Sequence, residues 1–169
     1  MRAAVIVVMG VSGCGKTTVA RLLAERLGWS FAEADEFHSA ANVEKMRGGT
    51  PLTDEDRWPW LAAIARWIDA ARTVGRPGVV TCSALKRRYR DVIVGDRGDV
   101  RLVYLQGGQG LIAGRMRSRE HVYMPATLLG SQFETLEEPG AGEKAIVVSI
   151  GRSPGEIVAA IVEELGLDR

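Results

Sequence analysis

Eight residues restrict what this chain can become more than any others. They are Gly10, Val11, Ser12, Gly13, Cys14, Gly15, Lys16 and Thr17, and they follow directly on the apolar run of residues 3–9. Their spacing is G-x-x-x-x-G-K-[ST] without a departure. Glycines at these positions let backbone N–H groups turn inward around an anion, because no Cβ blocks the approach. The segment that follows carries Val19, Leu22, Leu23 and Leu27 on one helical face and meets a stop at Gly28; a helix there aims its positive end at the same anion. From the chain's own residue frequencies, a chance match has a probability of about one in two hundred. Residues 10–17 and the adjacent Thr18 are therefore expected to bind the phosphates of ATP. Lys16 would bridge the β- and γ-phosphates, and the Thr17 hydroxyl would ligate Mg²⁺.

Beyond the loop, apolar runs alternate with helix-periodic segments, the pattern of a parallel sheet covered by helices. Strands are expected at residues 3–9, 30–35, 79–82, 100–105 and 145–150. Helices are expected after the loop, through Val43 and Met46 up to Gly48-Gly49, and from Asp54 with Leu61, Ile64, Ile68 and Ala71 up to Gly75. A further basic helix capped by Ser83 runs to about Val94, and others cover residues 111–119 and 126–136. Ser153-Pro154-Gly155-Glu156 has capping-box spacing and opens the last helix. Residues 1–169 read as one α/β unit without repeats.

The charge is nearly balanced, with 22 basic and 21 acidic residues, and no run of one sign dominates. A nucleic-acid footprint is not expected. No stretch approaches the roughly 20 apolar residues of a membrane span. The short apolar run at the start lacks a small-residue cleavage site. Cys14 and Cys82 are the only cysteines, too few for a disulfide framework. A soluble cytoplasmic protein, alone or as a homodimer, is the expectation. Cys14, inside the loop at the positive end of a helix, would be a reactive thiol that bound Mg-ATP protects; the alternative is an inert sulfur in the core beneath the loop.

The strands narrow the class of nucleotide chemistry. Those expected at 79–82 and 100–105 end without an acidic residue, and no Asn-Lys-x-Asp guanine-reading motif is present. The second strand ends in Glu33-Ala34-Asp35, and strand alternation puts both carboxylates on one side. Two carboxylates beside a phosphate loop suit Mg²⁺ organisation and the orientation of an attacking hydroxyl. Arg115 and Arg119 share a helical face, with Arg117 between them, ahead of the linker at 120–125. As part of a lid over about 115–130, they could neutralise charge on a transferring phosphoryl group.

Several blocks resemble the gluconate kinase family: Asp35-Glu36-Phe37-His38, Asn42-Val43-Glu44-Lys45-Met46, Gly49-Thr50-Pro51-Leu52-Thr53-Asp54 and Asp56-Arg57-Trp58-Pro59-Trp60-Leu61. The stretches from Cys82 to Asp91 and from Ser131 to Pro139 resemble it too, so the likeness covers nearly the whole chain. Three departures stand out. Glu33 replaces the more usual Asp, Ser39 replaces a proline, and His121-Val122-Tyr123 stands where Gly-His-Phe is familiar.

The resemblance implies ATP-dependent phosphorylation of the 6-hydroxyl of D-gluconate. It also implies a nucleoside-monophosphate-kinase-like fold with a five-stranded parallel sheet and a lid. Asp35 would then act on the substrate hydroxyl, with Thr17, Glu33 and Asp35 around Mg²⁺. Arg57, Lys86 and Arg90 would hold the sugar acid, with His38 in its pocket. Two alternatives stay open at this stage: a kinase for another hydroxy acid such as shikimate, and an ATP-binding module without transfer chemistry.

Overall fold

Val5–Met9 forms β1, and all five of its side chains are buried. A strand covered on both faces needs no polar alternation, which is why this one reads as an unbroken Val/Ile run. In the computed structural model, which describes residues 2–11, 13–50, 52–108, 110–112, 114 and 129–167, β1 is the middle strand of a five-stranded sheet. The other strands are β2 (Ser30–Glu33), β3 (Gly78–Thr81), β4 (Val100–Gln106) and β5 (Ile146–Ser149), in the order β2-β3-β1-β4-β5. Every pairing is parallel, so each connection crosses over through a helix or loop.

Among the described residues, the helices include α1 (Lys16–Leu27), α2 (Ala40–Arg47), α3 (Asp54–Val74), α4 (Arg87–Ile93), α5 (Leu129–Thr135) and α6 (Pro154–Leu165), with 3₁₀ turns at Ala34–Phe37 and Ala141–Glu143. Strand alternation divides the core in two. Ile6 and Val8 point into a cluster with Val19 and Leu23 of α1 and Ile157 and Ile161 of α6. Val5, Val7 and Met9 point the other way, toward Leu61, Ile64 and Ile68 of α3 and Tyr89 and Ile93 of α4. At about 1.5–3 kcal/mol for each fully buried large aliphatic side chain, these two layers hold the helices on the sheet.

The sequence boundaries hold for most elements. Gly28 and Gly75 close α1 and α3 in the left-handed conformation that only glycine enters cheaply. The Ser153–Glu156 capping box opens α6 as expected. Differences have local causes. Leu22, placed above on the buried face of α1, is exposed, because the stripe is narrower and runs through Val19, Ala20, Leu23, Ala24 and Leu27. The second strand stops at Glu33 rather than Asp35. The Ala34 N–H donates to the Thr81 hydroxyl at 3.4 Å and the Trp60 indole N–H donates to the Ala34 carbonyl at 2.7 Å. Side chains thus take over from the ladder and the chain turns into 3₁₀.

The same-side argument for Glu33 and Asp35 therefore fails as a strand argument, although the two still meet electrostatically. Ser83 does not cap α4, which starts at Arg87 with Lys86 at the cap position and no side-chain cap; Ala84 intervenes at φ 47°, in the left-handed region. The expected helix over 126–136 is observed from Leu129, and that over 111–119 falls largely outside the described residues.

Candidate active site

All candidate residues within the described set except Arg90 gather beyond the carboxyl ends of β1, β2 and β3, the face where open parallel sheets bind ligands. Register aligns these ends, with Val8 and Glu33 both opposite Thr81. The chain leaves β1 at Gly10 with φ 153° and enters α1 through Gly15 at φ 98°. A Cβ on Gly10 would sit 2.7 Å from Cys14 Sγ and 3.0 Å from the Leu105 carbonyl oxygen, so only glycine lets the loop turn this tightly over the sheet. Lys16 Nζ donates to the Gly10 and Val11 carbonyls, each at 3.1 Å. The ammonium is thereby folded over the cradle that an anion would occupy. Thr17 and Thr18 lie exposed in the first turn of α1, where backbone N–H groups have no partner inside the helix. Ser12 lies outside the described residues.

The Thr17 hydroxyl donates to Glu33 Oε1. Asp35 stands at the rim of the crevice with its carboxyl raised above the usual range. Crowding by protein is the main cause, Lys16 opposes it, and Glu33 and Glu36 add to it. His38 stacks on Trp60 with ring centroids 4.2 Å apart and planes 12° from parallel. Burial, reinforced by the Arg57 charge, pushes its imidazole down to about 4.

Arg57, half-buried in the first turns of α3, donates through Nη1 to the Leu52 carbonyl and to the Tyr89 hydroxyl at 3.3 Å. Its guanidinium lies 5.4 Å from the Tyr89 ring centroid. Its Nε and Nη2 have no protein partner among the described residues. Lys86 approaches the same ring at 5.6 Å and reaches Asp54 Oδ1 at 3.2 Å. Tyr89 and Arg88 also donate to the Asp54 carboxylate. The Tyr89 hydrogen bond, with Lys86 and Arg88 assisting, holds that carboxyl below its ordinary value against the opposing effect of burial.

The structure thus brings Lys16, Thr17, Glu33, Asp35, His38, Arg57 and Lys86 to one crevice. Arg90 is a correction. Its side chain is 2% exposed and bonded to Glu143 through Nε at 2.6 Å and Nη2 at 3.1 Å, and to the Ala84 carbonyl through Nη1 at 2.7 Å. With three donors committed inside the fold, it is not offered to a sugar acid. Cys14 is corrected as well, since its sulfur is buried in the core beneath the loop. Cys82 is buried too, its thiol pushed up to about 12, chiefly by desolvation. Arg115, Arg117, Arg119 and His121 lie outside the described residues.

Sequence reasoning passed over Asn42, Asp54, Trp60 and Tyr89, which support the site. All four sat inside the quoted blocks, but a polar or aromatic residue next to a cation gives no periodic signal. Among the described residues, no cluster of three or more His, Cys, Asp or Glu side chains could hold a metal alone, and no helix is long and apolar enough to cross a membrane.

Comparison with known proteins places the chain in a family. A family model described as an AAA domain matches residues 5–139. The gluconokinase of Gluconobacter oxydans is 49% identical over 157 residues, covering 93% of this chain and 88% of that one. Among solved structures, a sugar kinase from Janibacter sp. superposes with a TM-score of 0.93 at 46% identity, covering 98% of this chain and 95% of the other. A gluconokinase from Sinorhizobium meliloti gives 0.87 at 44% identity, with coverages of 98% and 94%. Shikimate kinase from Aquifex aeolicus shares 16% identity at a TM-score of 0.62, a likeness of fold alone.

Sheet order, phosphate loop and adjacent carboxylates define an ATP-using P-loop kinase of small molecules. Within that class, the chain belongs to the gluconokinase family.

Proposed function

We propose that this chain transfers the terminal phosphoryl group of ATP to the 6-hydroxyl of D-gluconate, giving 6-phosphogluconate and ADP. The observation that carries the reading is Arg57. It is a half-buried cation anchored through one nitrogen, its remaining donor edge without a partner among the described residues, and it shares the surroundings of Cys82 with Lys16 and Asp35. Such an edge matches a carboxylate, which accepts two parallel N–H bonds. Lys86 adds charge on the same aromatic ring.

Residues 10–17 and Thr18 cradle the phosphates through backbone N–H groups. When phosphates arrive, Lys16 exchanges its two loop carbonyls for phosphate oxygens and offsets the charge that develops during transfer. Asp35 receives the proton of the attacking hydroxyl. Its carboxyl, raised above the usual range chiefly by burial, makes it a better proton acceptor than an ordinary carboxylate.

The hydroxyl of Thr17 and the carboxylate of Glu33, already in contact, form a hard-oxygen pair suited to Mg²⁺, with Asp35 close by. Bound there with the nucleotide, Mg²⁺ supplies charge neutralisation on the phosphates. Arg115 and Arg119, which lie outside the described residues, are proposed to neutralise charge on the transferring group. The buried free thiols of Cys14 and Cys82 suit a reducing cytoplasm.

The test is ADP release coupled to a spectroscopic readout across gluconate, glucose, sorbitol and shikimate. Gluconate alone should stimulate turnover strongly. Equal stimulation by sorbitol, or none by gluconate, would overturn the reading and favour a binding module or another acceptor.

A further inference from the structure

The hydrogen-bonding role of His38 follows from its neighbours. Asn42 is buried, and its side-chain nitrogen lies 2.9 Å from the Asp56 carbonyl oxygen and 3.3 Å from His38 Nδ1. A backbone carbonyl can only accept, so the amide must present its NH₂ end there. That settles which way the Asn42 amide faces. The amide nitrogen has no lone pair to offer, so toward His38 it can only donate, using its second hydrogen. His38 Nδ1 is therefore the acceptor and carries no proton, and in the neutral ring the proton sits on Nε2.

The ring has little freedom to escape this arrangement. It stacks on Trp60, whose indole is pinned to the Ala34 carbonyl at 2.7 Å, and its own backbone N–H reaches the Asp35 carbonyl at 3.3 Å. Nε2 has no protein partner among the described residues. No buried polar side-chain atom among them lacks a partner, so Nε2 either opens to solvent or is met from outside the described residues. The neighbouring charges are Arg57 on α3 and Asp35 and Glu36 on the residue's own 3₁₀ turn.

We infer that His38 meets the substrate as a neutral donor, offering Nε2–H to an oxygen of the acceptor, and that Asn42 is the positioning residue that sets this tautomer. The substrate half of this inference rests on the gluconate reading above; the tautomer half does not. A ring of this kind cannot take the hydroxyl proton through Nε2, which leaves that task to Asp35. Burial and the Arg57 charge keep the ring neutral down to about pH 4, so the donor stays in place across the working range. A donor fixed in this way rewards substrates that present an oxygen at one position and penalises those that do not.

The experiment has two arms on the full chain. In the first, long-range ¹⁵N–¹H spectra of the nucleotide-free protein read the tautomer. The chain has two histidines, and His121→Gln leaves the His38 signals alone. An Nε2–H pattern without titration between about pH 5.5 and 8.5 is expected. Asn42→Asp, which puts a proton acceptor opposite Nδ1, should shift the pattern toward Nδ1–H and bring a titration into that window. An Nδ1–H pattern in the native chain, or a midpoint near the ordinary histidine value, would overturn the inference whatever the substrate proves to be.

In the second arm, His38→Leu should raise KM for gluconate by about tenfold or more. His38→Gln, which keeps an N–H donor at similar reach, should recover much of the loss, and KM for ATP should stay within about twofold. An unchanged gluconate KM in a folded His38→Leu protein overturns the substrate contact. Native enzyme that ignores gluconate sinks the functional reading and the contact with it, and the spectra still decide the tautomer.

Discussion

Glu143 offers a test of where the buried charge of this protein is held. Its carboxylate receives Arg90 in a two-point bond and also caps the Ala141–Glu143 turn by accepting from the Gly140 N–H at 2.9 Å. Replacing it with Ala leaves the Arg90 guanidinium almost wholly out of water, with the Ala84 carbonyl as its one remaining hydrogen-bond partner among the described residues. Removing one member of a buried pair typically costs about 3–5 kcal/mol. For a chain of this length each kcal/mol lowers Tm by about 2–4 °C, so thermal unfolding should drop by about 6–20 °C.

The double variant Arg90→Met/Glu143→Gln removes the stranded charge and should regain part of that loss. Below neutral pH the native protein should show the same dependence. Burial alone would raise the Glu143 carboxyl, but the Arg90 hydrogen bonds, the Gly140 N–H and the charges of Arg90 and Arg87 outweigh it and hold it below its ordinary value. The stabilisation is therefore complete above the unfolded carboxylate's pKa and is lost as pH falls through the folded one. Circular dichroism melts and gluconate kinetics on the same samples decide the matter. A Tm loss under about 2 °C, or a large rise in gluconate KM at unchanged Tm, would refute the reasoning and return Arg90 to the substrate site.

Further expectations concern the crevice. Lys16→Ala should fold normally and lose nearly all phosphoryl transfer; turnover above a few per cent of native would dismiss its assigned role. Asp35→Asn should cut kcat at least about a hundredfold with ATP affinity little changed. The native acid limb of kcat/KM should lie above the ordinary carboxylate value, as the raised Asp35 carboxyl requires, and vanish in the variant. Arg57→Leu should erase most of the preference for gluconate over sorbitol, a change on the order of 1–3 kcal/mol in relative kcat/KM; an unaltered preference would move the carboxylate contact elsewhere. Cys14 should resist alkylation in the folded nucleotide-free protein and react on denaturation, because its sulfur packs in the core; rapid labelling mapped to Cys14 in folded protein would contradict that placement.

How much of this was readable beforehand depends on the kind of signal. The elements of the parallel sheet and its helices rest on apolar runs and glycine stops, which are local, and so β1, α1, α3 and α6 were legible to within a few residues, whereas the strand order rests on pairings between distant segments. Asp35 was found for a reason that did not hold. Its proximity to Glu33 comes from a 3₁₀ turn imposed by Thr81 and Trp60, residues far along the chain that no alternation rule consults. Arg90 was misjudged for the same cause, since its partner Glu143 lies 53 residues away. Cys14 went astray because loop membership does not say which way a side chain faces. A Gly10 without a Cβ leaves room for the sulfur to pack inward.

The central position of β1 has a consequence for how the chain comes into being. Val5 pairs with Gly78 on one side and Val100 on the other. The five apolar residues of β1 must wait for partners made 73 or more residues later. At about 5–20 residues per second, that wait is roughly 4–15 s for the first neighbour and longer for the second. Throughout it, Val5–Met9 is a bare, uncharged segment of high β-propensity, the sort of sequence that associates with other chains. Biogenesis of this enzyme should therefore depend on shielding of Val5–Met9 during synthesis. The binding loop that follows β1, although made long before β4, can acquire its shape only after Gln106 at the end of that strand has emerged.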